Sequence, residues 1–357
     1  MNQSIKRALY GSVISIVALN AQQAMACASC GCTLTTDWGT QGVSNYTGWS
    51  ADIRYDYINQ NMLRSGANGI SQSQAAATTN TKTGSPAEVE NYTRNNYITA
   101  AIDYNQGESW GVTATVPYIN RSHSTLGAYD DDPMTLPPAS GNGAYNSNSS
   151  GFGDIRLVGR YFGFAEQKDW GIQLGIKMPT GQYNQGVTLT NQTGSPAQFG
   201  GRIDPGLQLG TGTWDSIIGA YKYGYLNESD DWGYFAQAVF QSTFAINRNS
   251  AQGGSFDAGT YRPGNSLNLN AGVRYQGLGA IIPALQINYL YKQADSGTAA
   301  DTWATGGNVA YVTPGVIVPI DKKVQVYGNV QLPIYQYYNG IQVAPSWIGS
   351  AGVRITF

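Results

Sequence analysis

The chain has 357 residues, with 45 Gly and 25 Tyr but only 20 basic and 22 acidic side chains. Soluble domains carry about 25% charged residues and about 7% Gly, so this balance is unusual for one, while 12% aromatic residues and a formal charge of −2 exclude a disordered chain. Gly at this density costs a helix about 1 kcal/mol at each position and excludes coiled coils and helical solenoids, and the even charge balance does not point to nucleic acid.

Residues 1–26 read as a secretory signal peptide. Lys6 and Arg7 form the charged start, Ala8 to Leu19 is an apolar stretch too short to span a bilayer, and Ala24-Met25-Ala26 places small residues at a cleavage site. Cleavage there makes Cys27 the first mature residue. The segment 27–48 is then periplasmic or folded into a lumen as a plug, and it holds all the cysteines, Cys27, Cys30 and Cys32. Thiolates this close suit a soft metal such as Cu(I) or Zn(II). An oxidising compartment favours a disulfide with one thiol left over, and lipid attachment at Cys27 is a third possibility, disfavoured by Gln23 and Ala24. No His follows the pair, which excludes a haem site.

From residue 49 to 357 the sequence repeats segments of about ten alternating residues. Trp49, Ala51, Ile53, Tyr55 and Tyr57 share one parity against Ser50, Asp52, Arg54 and Asp56, and such alternation puts the two sets on opposite faces of a strand. Twelve strands are expected, near 49–58, 96–104, 109–118, 153–163, 170–179, 216–225, 232–244, 266–275, 284–292, 307–318, 324–334 and 347–357. In 216–225 the odd positions are assigned to lipid, because the other choice would put Lys222 in hydrocarbon. Short connections near 105–108, 165–169, 226–231, 277–283 and 320–323 alternate with long ones near 59–95, 119–152, 180–215, 245–265, 293–306 and 335–346. No window is long and apolar enough for a transmembrane helix. The pattern predicts an all-β fold: a transmembrane antiparallel up-and-down barrel of about twelve strands, with short periplasmic turns and long extracellular loops. The competing fold is a secreted β-sandwich with a one-sided apolar core.

Trp110-Gly111, Trp170-Gly171 and Trp232-Gly233 each open a strand after a short turn. With Trp347 and the terminal Phe357 they are assigned to the membrane-interface belt. The last segment alternates Trp347, Gly349, Ala351, Val353, Ile355 and Phe357, which resembles the signal that the barrel insertion machinery of a Gram-negative outer membrane reads. Lipid, lipopolysaccharide and a small-molecule solute are the other expected partners.

The inward parity gives a pore lining of Asp52, Arg54, Asp56, Asp103, Asp154, Arg156, Arg160, Lys177, Lys222, Arg274, Lys292 and Arg354. Its basic members outnumber the acidic ones two to one, and a basic lining raises the local concentration of anions. Small anionic or polar aromatic solutes are therefore the expected cargo. A lumen of ion pairs that only stabilises the wall is one alternative; the other is a barrel that only anchors a metal-binding (Cu or Zn) or redox-linked segment carrying Cys27, Cys30 and Cys32.

No enzyme is expected. His123, flanked by Ser122 and Ser124, is the single His; a nucleophilic triad needs a base oriented by a third group, and a loop His beside Ser is more simply solvated. Asp130-Asp131-Asp132 offers carboxylates to a divalent ion but lacks EF-hand spacing.

Three ordered motifs carry a family resemblance: Gly151-Phe152-Gly153-Asp154 with Arg160-Tyr161, then Gly175-Ile176-Lys177-Met178-Pro179-Thr180-Gly181, then Gly210-Thr211-Gly212-Thr213-Trp214-Asp215. Over this stretch the chain resembles the outer-membrane family named for the phenol meta-degradation pathway. The resemblance implies a barrel that admits small, often aromatic or hydrophobic, compounds.

Overall fold

The computed structural model describes residues 41–42, 46–82, 84, 87, 89–126, 144–183, 185–190, 196–202, 204–246, 260–298 and 300–357. The expected signal peptide, Cys27, Cys30 and Cys32, and Asp130 to Asp132 lie outside them. The strands in chain order are β1 (Gly48–Gly66), β2 (Asn68–Gly69), β3 (Val89–Asn105), β4 (Trp110–Leu126), β5 (Ala144–Phe152), β6 (Ile155–Tyr161), β7 (Trp170–Met178), β8 (Gly186–Thr190), β9 (Pro196–Arg202), β10 (Thr213–Tyr225), β11 (Trp232–Ile246), β12 (Ser266–Tyr275), β13 (Ile282–Lys292), β14 (Gly307–Pro319) and β15 (Val324–Thr356). Among the described residues one short α-helix, α1 (Gln72–Ala76), is capped by Ser71, whose side chain and that of Gln74 satisfy each other's backbone N–H groups.

Among the described residues, eleven strands close into a ring in the order β1, β3, β4, β6, β7, β10, β11, β12, β13, β14, β15, and β15 returns to β1. Every pairing is antiparallel. β15 is a hairpin: its first limb pairs with β14 from Gln325 to Tyr338, and its second with β1 up to the pair Ser50 and Thr356. The limbs also meet each other, as the Thr356 N–H donates to the Lys323 carbonyl at 2.9 Å. The reversal falls at Asn339-Gly340, where Gly340 takes φ 56°, a left-handed conformation that favours Gly. The chain therefore crosses the wall twelve times. The long loop expected over 335–346 is replaced by this tight turn, because strand pairing continues past the point where the apolar alternation fades.

The same holds for β1, β3 and β4, which extend well beyond the segments expected from alternation. Their outer ends still pair, but residues such as Asn61, Asn91, Asn120 and Ser122 have left the apolar band. β5 and β6 together make one crossing, both paired to β4, broken at Gly153-Asp154. There the Gly153 N–H donates to the Pro117 carbonyl at 2.8 Å, and a Cβ would meet Ile119 at 3.0 Å. β8 and β9 form a further hairpin alongside β5.

The apolar side chains lie outside and the polar ones inside. Ile53, Ile102, Leu174, Ile218 and Ile287 are each more than half exposed, while Asp56, Gln60, Asn95, Asn288 and Gln331 are wholly inaccessible. A sandwich core requires the opposite arrangement, so the competing fold is excluded. Closure leaves no unpaired edge in hydrocarbon.

Aromatic rings mark both rims. At the short-turn end Trp49, Tyr104 and Trp110 form a chain with centroid distances of 4.9 and 5.5 Å, Tyr161, Phe164 and Trp170 another at 4.8 and 4.5 Å, and Trp232 meets Tyr275 at 4.9 Å. Phe357 joins this rim through its N–H, which donates to the Trp49 carbonyl at 2.9 Å. Trp347 belongs to the opposite rim, against Tyr57 at 5.5 Å, near Tyr118 and Phe152, which pair at 5.4 Å. The expected belt is thus two belts.

Strand β10 corrects one assignment. Its odd positions face inward, with Asp215, Ile217 and Tyr221 buried, and its even positions outward, with Ile218 51% exposed. Lys222 therefore lies on the outer face and does not line the lumen. It stands on the rung of Trp170, close to the turn, and reaches Asp169 at 2.7 Å. A lysine stem can lie along apolar surface while its ammonium reaches the interface, whereas the opposite register would put Asp215 on the outer face without a partner.

Candidate functional site: the barrel lumen

The lumen is lined by alternate residues of every wall strand, and its polar groups form three tiers. At the loop end Arg121 of β4 donates to Asn95 at 2.5 Å, to the Tyr97 hydroxyl at 2.9 Å and to the Gln208 carbonyl at 3.2 Å. Asn95 donates to Gln60 at 3.0 Å, and Gln60 to the Val343 carbonyl at 3.2 Å. One network thus ties four crossings to the connection before β10. His123 is buried within this wall, its ring nitrogens 2.8 Å from Thr93 and 2.9 Å from Thr125. The expected solvated loop His is instead a strand residue, because β4 continues to Leu126 with alternate residues still inward.

Below it Lys177 lies between two carboxylates, Asp154 at 2.9 Å and Asp215 at 3.1 Å. Asp215 also accepts from Gln241 at 2.6 Å and from Thr213 and Thr243 at 2.8 Å, and Asp154 accepts from the N–H groups of Gly181 and Thr211 at 3.0 Å. Arg156 is the register partner of Lys177 on the same inner face. Across the barrel Lys292 pairs with Asp295 at 2.7 Å, both nearly inaccessible. The middle tier is a belt of amides and hydroxyls: Gln237 donates to Gln173 at 3.0 Å, Asn288 to Asn270 at 2.7 Å and Thr313 to Asn288 at 2.7 Å. Ser350 donates to Asp56 at 2.6 Å, and Arg54 holds the same carboxylate at 2.8 Å.

At the turn end Arg160 grips Asp103 with both nitrogens, at 2.7 and 3.0 Å, in the fork geometry that strengthens such pairs. Thr113 and the Tyr46 hydroxyl also donate to Asp103. Arg354 donates to Tyr46 and Ser50 at 2.8 Å, and Tyr327 donates to Asp52 at 2.9 Å. Arg274 donates to the carbonyls of Gln41 at 2.5 Å and Gly42 at 2.9 Å.

Of the twelve residues expected in the lumen, all but Lys222 face it. Alternation missed Asp215, one residue before the expected start of its strand, and Arg121 and Asp295, which lie beyond the apolar segments. The inward set becomes eight basic residues, namely Arg54, Arg121, Arg156, Arg160, Lys177, Arg274, Lys292 and Arg354. Seven are acidic, namely Asp52, Asp56, Asp103, Asp154, Asp215, Asp295 and Asp204, the last close to Asp295 and Lys292. The basic excess is smaller than the two-to-one ratio expected, and several of the charges are paired.

In the connection before β10, Asp204 stands out. Burial first, and then the nearby Asp301 carboxylate, push its pKa up to about 7. Its side chain accepts from the Gly206 N–H at 2.6 Å, beside the Gln208 carbonyl that Arg121 holds.

A closed up-and-down barrel with an apolar belt, two aromatic rims and a polar interior is the architecture of outer-membrane barrels. An outer membrane channel from Pseudomonas putida F1 is similar to it, with a TM-score of 0.56 and 12% identity over 87% of this chain and 96% of that one. The toluene transporter of Ralstonia pickettii gives a TM-score of 0.44 and 10% identity over 90% of this chain and 92% of that one, and the KdgM porin 0.37 and 10% over 86% and 99%. No protein-family model and no curated protein matches the sequence.

Proposed function

We propose that the protein is an outer-membrane channel or facilitator of a Gram-negative bacterium, passing small polar or anionic solutes, aromatic carboxylates among them. The observation that carries this reading is the interior itself: charged and amide side chains run through the height of a barrel whose outer face is apolar, with basic residues in excess. Eight strands are filled by side chains and sixteen leave an open aqueous channel, so twelve strands with this filling suit small solutes. On this reading the short-turn end is periplasmic, the loop end meets lipopolysaccharide, and the last strand, Trp347 to Phe357, is what the insertion machinery recognises. The resemblance of the three motifs between Gly151 and Asp215 to the phenol meta-degradation family is what favours aromatic solutes.

Reversal potentials in planar bilayers under a salt gradient test the charge preference. Anion preference is expected; cation preference overturns the anionic part of the reading. Liposome swelling with benzoate, a neutral sugar and an amino acid then ranks solutes.

A second reading concerns Cys27, Cys30 and Cys32. Gln41 and Gly42 sit at the turn end; on the reading that this end is periplasmic, the cysteines serve Cu or Zn binding, a disulfide or lipid attachment. Intact mass of the mature protein separates these, since each leaves a distinct increment.

A further inference from the structure

Arg274 on β12 is 4% exposed, and its guanidinium lies flat over Gly233 of β11, where a Cβ would come within 2.9 Å of its central carbon. The two terminal nitrogens reach the main-chain carbonyls of Gln41 and Gly42, while Nε is buried without a hydrogen-bond partner. The Tyr225 hydroxyl also hydrogen-bonds to its side chain, and Tyr223 lies close by. A buried cation is costly unless something answers its charge, and here the fork itself is answered by two carbonyl dipoles of the segment before β1, with Tyr225 beside them. Two oxygens placed on a guanidinium fork are what a carboxylate presents.

The segment is fitted to that place. Gly42 takes φ 63° and lies against the Tyr223 ring so closely that any Cβ would overlap it. Four positions on, Tyr46 is held from the opposite wall, by Arg354 of β15 and against Asp103 of β3. In the ring order β10 and β12 stand across from β1 and β3, so these residues bracket the turn-end mouth.

We propose that Arg274 is a carboxylate-binding station at the periplasmic mouth, and that the carbonyls of Gln41 and Gly42 are its resident competitor. A small monocarboxylate takes over the fork, and the N-terminal segment gives way. The proposal rests on the channel reading for its purpose, but its binding step is measurable without any flux. Occupancy by the segment lowers the apparent affinity for a solute by the fraction of time the site is free.

The test uses the full mature chain in detergent, with benzoate as the probe, titrated calorimetrically, and conductance measured separately in planar bilayers. Wild type binds benzoate; Gly42→Val, which cannot seat against Tyr223, binds it about tenfold tighter; Arg274→Gln binds none, and Arg274→Lys, keeping the charge but not the fork, binds weakly. Unchanged affinity in Gly42→Val, or benzoate binding that survives Arg274→Gln, overturns the site. If Arg274→Gln fails to fold, the comparison of Gly42→Val with wild type and Arg274→Lys decides alone. Binding that follows the expected order in a protein that conducts nothing sustains the site and removes the channel. Conductance with binding indifferent to these changes does the reverse.

Discussion

Lys177 on β7 reaches Asp215 on β10 at 3.1 Å while holding Asp154 at 2.9 Å, so one ammonium answers two carboxylates inside the wall. Removing it takes away the cation that touches both acids and leaves Arg156 alone to face them. Lys177→Met is expected to cost about 3–5 kcal/mol, seen as a lower temperature for the gel-mobility shift that reports barrel unfolding. Lys177→Met combined with Asp215→Asn recovers part of the loss; a single variant as stable as wild type shows that the triad contributes little.

Lys222 makes the opposite prediction. Its side chain is 53% exposed and pairs with Asp169 at the rim, and exposed pairs contribute little to stability. Lys222→Ala leaves ion selectivity in planar bilayers unchanged, whereas Arg156→Gln shifts the reversal potential toward cations. A selectivity change in Lys222→Ala returns that residue to the lumen.

Gly352 is crossed by the Tyr327 ring from the neighbouring limb of β15, leaving no room for a Cβ, and the Ile53 carbonyl stands at 2.9 Å from where one would be. Gly352→Val overpacks the seam that closes the barrel and is expected to cost about 1–3 kcal/mol. Tyr327→Ala in the same chain restores part of the stability, measured by the same mobility shift. No rescue places the strain in the backbone rather than the ring.

Asp204 links the connection before β10 to pH. Its folded pKa of about 7 lies above that of a free carboxyl, so the stability it contributes is full below about pH 4 and is lost as pH rises toward and through 7. Amide exchange at Leu207 and Gln208, corrected for its intrinsic pH dependence, should show protection falling from pH 5 to 8. Asp204→Asn flattens that profile; an unaltered slope assigns the pH dependence to another group.

Much of this barrel is legible in one dimension. A strand with lipid on one side and a polar interior on the other must alternate, so segments such as 266–275 and 284–292 show their faces directly, and Asn270, Arg274, Asn288 and Lys292 point inward as their parity requires. Alternation is silent where that contrast ends. The outer ends of β1, β3 and β4 are polar on both faces, and so His123 and Arg121 looked like loop residues although the ladder carries them. In β10 two charges of opposite parity, Asp215 and Lys222, compete for the interior, and periodicity alone gives no way to rank them. The neighbours decide: Lys177, Gln241 and Thr243 wait inside for the carboxylate, while Lys222 needs only Asp169 at the rim.

The scarcity of charge and abundance of Gly and Tyr thus determined the kind of wall, its approximate strand number and which face of most strands meets lipid, because these follow from local alternation. Which charges meet, how the last hairpin turns at Asn339-Gly340, and that residues 41 and 42 fill the fork of Arg274 were decided by the tertiary structure alone. Those relations join residues as much as 233 positions apart, and only ring closure brings such residues within hydrogen-bonding distance.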